Sequence, residues 1–137
     1  MLLKDWDAED RHKPQLRFDV ATKTTALCSL AARFHQEGIR QFGADRLEQA
    51  LAAALPGQSC EQRAGLLKEI VERGGLIRRK SKTTYDFCHL TFQEYFTALV
   101  FHRRGDADGL LAHLGESWWR EVILLFVGLQ ADATELI

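Results

Sequence analysis

A chain of 137 residues suits one domain or two closely packed subdomains, and its 46% hydrophobic content is enough to fill a core. A formal net charge of -1 argues against a surface that coats nucleic acid. No apolar run reaches the ~18 residues of a membrane helix; the longest is VILLFVGL, from Val122 to Leu129, and the opening MLLKDWDAEDRHK has no signal-peptide core.

Residues 1–18 are charged and irregular, with Pro14 breaking any regular element. Over 20–37 the apolar residues Leu27, Leu30, Ala31 and Phe34 recur at helical spacing, and Gly38 is a natural stop. Asp45 to Glu48 and Ser59 to Gln62 both have capping-box spacing. The first opens a helix with Leu47, Leu51, Ala54 and Leu55 that ends at Pro56-Gly57. The second opens one with Leu66, Leu67, Ile70 and Val71 that ends at Gly74-Gly75.

The period then changes. GLIRRKSKTTYDFCHL gives a short apolar run at Leu76 and Ile77, a polar tip over 78–84, and the β-prone Tyr85, Phe87 and Cys88, which spells a hairpin. Tyr85 and Phe87 share one face and Asp86 takes the other. Helix resumes at Thr91, where Thr91 and Glu94 form a third capping box as a structural cap, and Leu90 and Tyr95 a hydrophobic staple. A short helix around Leu110 to Leu114 and a last one from Ser117 to Gln130 follow. That last helix is apolar on most sides and should be buried. Asp132 to Glu135 resembles yet another helix start with only Leu136 and Ile137 after it, while Leu2, Leu3 and Trp6 open the chain with unpartnered apolar surface. Both ends are those expected of a piece of a longer protein.

Three helices followed by a hairpin is the order of a winged helix. The expected fold is therefore mainly α: an irregular lead-in (1–18), a winged-helix domain of three helices and a small wing (19–90), and a helical extension of two to three packed helices (91–137). Trp6, Phe34, Phe87, Phe92, Phe96, Trp118 and Phe126 supply its aromatic core. Cys28, Cys60 and Cys88 are odd in number and widely spaced, so they read as buried thiols in a reducing cytosol, forming neither a disulfide frame nor a zinc site. His12, His35, His102 and His113 share no metal-ligand spacing, and no metal is expected.

The segment ERGGLIRRKSKTTYDFCHLTFQEYFTALVF, followed by WWREVILLFVGL, resembles the NACHT family of STAND-type signalling NTPases, which includes NOD-like receptors and bacterial relatives. The residues that carry the likeness are Gly75, Leu76 and Ile77, then Phe87, His89, Thr91, Phe92, Gln93, Glu94, Tyr95 and Ala98, and later Trp119, Glu121, Val122 and Gly128. Thr97, where a small residue is common, and the strongly basic wing depart from the pattern. The resemblance implies a non-catalytic regulatory module that follows the nucleotide-binding module and acts as a lid, coupling ADP or ATP state to opening and oligomerisation. The sequence has no GxxxxGK[ST] loop and no Walker B strand, so ADP or ATP with magnesium belongs to the parent protein, and no cofactor belongs to this chain.

Within YDFCHLTFQEYF, no catalytic set is expected. Cys88 and His89 are adjacent on a strand and face apart, which suits a thiolate–imidazole pair poorly. Glu94 is accounted for by the cap, and Gln93 is either exposed or set against a neighbouring domain. By residue chemistry His89 is either a histidine satisfied within the corner or a phosphate ligand, since an imidazole donor beside a helix N-terminus suits a phosphate oxygen. The resemblance implies the second, with His89 reaching the β-phosphate of a nucleotide in the intact parent. Arg78, Arg79, Lys80 and Lys82 make the wing basic and could meet an anionic partner: an acidic protein surface, a nucleotide or DNA. Against DNA, the third helix sets Glu61, Glu69 and Glu72 beside Arg63, Lys68 and Arg73, without a basic excess. A free-standing winged-helix DNA-binding regulator remains the alternative reading.

Overall fold

The computed structural model describes residues 18–135, with side chains as far as residue 131. The lead-in with Trp6 and Pro14, His12, and the final Leu136 and Ile137 lie outside the described residues.

The expected fold class holds: a mainly helical chain with a small antiparallel sheet. Helix α1 (Val20–Gln36) opens on Asp19, whose Oδ1 accepts from the Thr22 backbone N–H at 2.8 Å. The Thr22 side chain first, and this backbone bond second, hold the Asp19 carboxyl below its usual value. The chain leaves α1 through Gly38 at φ 73, a left-handed conformation open to glycine. Helix α2 (Ala44–Ala54) follows, and then α3 (Cys60–Glu69), which widens into a π-turn over Ile70–Gly74 and exits through Gly75 at φ 70.

The box at Ser59 forms as its spacing indicates: the Gln62 N–H reaches Ser59 Oγ at 3.1 Å and the Ser59 N–H reaches Gln62 Oε1 at 2.8 Å. The box at Asp45 does not. Gly43 occupies the cap position with no side-chain bond, because the chain arrives there as strand β1 (Gln41–Gly43), and its pairing fixes the entry into α2.

That strand is absent from the sequence reading. It pairs antiparallel with β3 (Thr84–Phe87), which also pairs with β2 (Ile77–Arg79), so the wing strand is the centre of a three-stranded sheet ordered β1-β3-β2. Three residues with one buried side chain are too few to show a period. That side chain, Phe42, stacks on Phe34 with centroids 4.2 Å apart and meets the edge of Phe87.

After the wing come α4 (Leu90–Arg104), α5 (Ala107–Leu111), a 3-10 turn (Ser117–Trp119) and α6 (Arg120–Glu135). Asp132 starts no new helix, since α6 runs through it to Glu135. Two hydrophobic cores result. The first joins α1, α2, α3 and the sheet through Leu27, Phe34, Leu51, Leu66, Ile77 and Phe87. The second gathers Ala98, Phe101, Leu110, Trp119, Val122 and Phe126. Helix α4 serves both, with Phe96 in the first and Phe101 in the second. Of the expected aromatic core, Phe34, Phe87, Phe96 and Phe126 are buried, while Phe92 and Trp118 are half-buried.

Two expectations of burial fail. Cys60 is exposed because it is the first residue of α3, and Cys88 is half-buried, so Cys28 alone of the three thiols is buried. Burial raises the Cys28 pKa. Helix α6 is not covered all round: Leu124 is 55% and Val127 57% exposed.

Candidate functional site

The strand-to-helix corner is built by β3, which ends at Phe87, and by the Cys88 N–H, which still bonds the Leu76 carbonyl at 2.8 Å. His89 then turns the chain with extended backbone (φ -131, ψ 140) and is itself the cap residue of α4. The expected cap at Thr91 and Glu94 is therefore a correction. Residues 90 and 91 are already helical, Thr91 is exposed, and no side chain caps this N-terminus. The sheet pairing carries the chain into the helix two residues before the sequence signal.

This shift redistributes the polar residues. His89 is exposed, with its ring 5.6 Å from that of Phe92 at an angle of 54°. It stands at a helix N-terminus that carries no side-chain acceptor. Glu94 turns inward to 9% exposure, where burial raises its pKa, the Glu121 carboxylate raises it further, and Arg40 opposes both.

Gln93 is neither exposed nor free for a neighbouring domain. It is fully buried, donating from Nε2 to the Ile39 carbonyl at 3.1 Å and meeting His35 Nδ1 at 3.2 Å. His35, also fully buried, has Nε2 3.1 Å from the Trp118 carbonyl. A carbonyl can only accept, so Nε2 carries the proton and Nδ1 accepts from Gln93, which defines a neutral tautomer. The ring stacks on Trp118 at 4.5 Å and meets the edge of Trp119 at 4.8 Å. Burial is the main cause that lowers its pKa to about 4; the Trp118 bond opposes this, and the nearby His113 adds to it. The sequence placed His35 in no constellation. The motif glutamine was visible, but its partner lies 58 positions away.

The wing is less available than its composition indicates. Arg78 stands directly opposite Asp86 in the β2–β3 register and forks onto it at 2.9 and 3.4 Å. Arg79 folds back onto the Ser81 and Lys82 carbonyls at 3.1 and 2.8 Å, stiffening the tip. Lys80 and Lys82 remain exposed. Among the described residues, no group of three or more His, Cys, Asp or Glu side chains could hold a metal ion, and no helix is long and apolar enough to cross a membrane.

The family model for the winged helix-turn-helix domain C-terminal to NACHT matches residues 1–101, which takes in all three helices, the sheet, the corner and most of α4. The chain belongs to this family. Neither a curated protein nor a solved structure matches it. A NACHT winged helix is a non-catalytic domain associated with the NACHT module that precedes it, and the corner fits that description. Cys88 and Glu94 share no hydrogen bond with His89, and the polar side chains that do converge, His35 and Gln93, are sealed from solvent.

Proposed function

We propose that this NACHT winged helix is a nucleotide-sensing lid of a cytoplasmic, bacterial-type signalling ATPase. The observation that carries the reading is the exposed His89 ring on the uncapped N-terminus of α4. An anion there gains the imidazole N–H, the first N–H groups of α4, which no side chain caps, and the positive end of a fifteen-residue helix. The parent's NACHT module would hold ADP and magnesium, and His89 would meet the β-phosphate in the closed state. Loss of that contact on exchange for ATP biases the lid towards opening and the parent towards oligomerisation.

The test is ADP retention by the parent protein. His89→Ala should speed ADP release and favour the oligomer, with the isolated domain's stability unchanged because the ring is exposed. Unchanged retention overturns the phosphate contact. The DNA-binding reading rests on Lys80 and Lys82 at the wing tip. It predicts a salt-dependent shift of duplex DNA that weakens when both are neutralised, and absence of a shift at low salt disposes of it.

A further inference from the structure

The buried contact between His35 and Gln93 has its protons fixed from both ends. The Trp118 carbonyl, 3.1 Å from His35 Nε2, can only accept, so Nε2 carries a proton. The Ile39 carbonyl, 3.1 Å from Gln93 Nε2, can also only accept, so the amide nitrogen stays on that side. The 3.2 Å contact from Gln93 Nε2 to His35 Nδ1 therefore stands only while Nδ1 is bare. A second proton on the ring would set N–H against N–H. The remedy lies on the same side chain. Gln93 is fully buried, and its Oε1 has no hydrogen-bond partner among the described residues, which makes it an idle acceptor.

We propose that Gln93 and His35 form a proton-operated switch, in which protonation of Nδ1 turns the Gln93 amide over and releases the Ile39 carbonyl. After the turn, Oε1 accepts from the Nδ1 N–H and the Trp118 bond is kept, while Ile39 loses its donor. Only Arg40 separates that carbonyl from β1, so the output is a looser entry into the strand that pairs with β3. Stacking on Trp118 at 4.5 Å lets the folded protein hold the imidazolium. Few charges bear on the ring. Trp118 and Trp119 do not titrate, Gln93 is neutral, and Glu94 beside it interacts with Glu121 and Arg40. Arg33 and Glu37, near it on α1, pair with each other at the surface. His113, bonded to Glu116 and stacked on the same Trp119, is the titratable group whose charge acts on His35 among the described residues.

An NMR titration of the isotope-labelled 137-residue chain, from neutral pH into acid, tests this directly. The ring nitrogens of His35, the side-chain amide of Gln93 and the carbonyl carbon of Ile39 should move together with one midpoint, in a spectrum that stays folded. Across the same midpoint, exchange protection of the Gln41 to Gly43 amides should fall about tenfold. Gln93→Glu supplies an acceptor that needs no turn. The His35 midpoint should then rise by about one pH unit or more, and Ile39 should no longer respond. A Gln93 or Ile39 signal that ignores His35 protonation overturns the proposal, as does unchanged protection of the strand. Unfolding that coincides with the His35 midpoint overturns it too, because no folded switch would then exist.

Discussion

His35 and Trp118 are joined by two hydrogen bonds across 83 positions of sequence: His35 Nε2 donates to the Trp118 carbonyl at 3.1 Å, and Trp118 Nε1 donates to the His35 carbonyl at 2.8 Å. Their rings stack at 4.5 Å. The pair ties the last turn of α1 to the 3-10 turn that opens α6, and so ties the winged helix to the helices behind it. The Nε2 bond requires a proton on that nitrogen, and the bond that Nδ1 accepts from Gln93 requires the imidazole to be neutral.

Acid should loosen this junction. His35 has a folded pKa of about 4 against 6.5 for the free side chain. Between those values the unfolded chain binds the extra proton, so stability is whole above pH 6.5 and falls as pH drops towards 4. The full loss is about 3 kcal/mol. Glu94 acts oppositely, because its raised pKa means that stability is lost as pH rises from 4.5 through the folded value. His113, bonded to Glu116, also stacks on Trp119 beside His35. Urea unfolding against pH should show His35→Phe flattening the acid slope and Glu94→Gln steepening it; an unaltered slope in His35→Phe would refute the assignment.

Gln93→Leu should cost about 2–3 kcal/mol, since it strands the Ile39 carbonyl and His35 Nδ1 in a dry site. Chemical denaturation measures this directly. A change below about 0.5 kcal/mol would mean that water replaces the amide.

Lys23, 1% exposed, pairs with Glu69 at 3.4 Å, joining α1 to the end of α3. Lys23→Met alone should destabilise by about 3–5 kcal/mol, because it leaves the Glu69 carboxylate in low dielectric. Lys23→Met with Glu69→Leu should recover most of that. A double-mutant cycle reads the coupling, and additive losses would show that the pair is not linked.

Asp86 is buried, with a side chain 5% exposed, but its partner Arg78 is 53% exposed, so solvent screens the pair. Asp86→Ala should cost about 1 kcal/mol and speed amide exchange over Arg78 and Arg79, with the three helices unaffected. Equal acceleration throughout the domain would show that the wing folds with the helices as one unit.

Much of the fold could be read in the sequence, wherever a local rule acted alone. The periodicity of α1, the reciprocal box at Ser59 and Gln62, the glycine exits at Gly38 and Gly75, and the two wing strands are each fixed by residues a few positions apart. Identical box spacing at Asp45 and Thr91 forms no cap, because in both places a strand delivers the chain to the helix and its pairing chooses the first helical residue. Residue order alone also put His89 at the corner. Only the tertiary structure decided that Gln93 looks inward, that His35 is its partner, that Asp86 holds Arg78, and that α6 keeps one side bare. Each of these depends on which distant backbone fills the space beside a side chain, and that is set by how the helices and the sheet pack together rather than by the spacing of residues along one element.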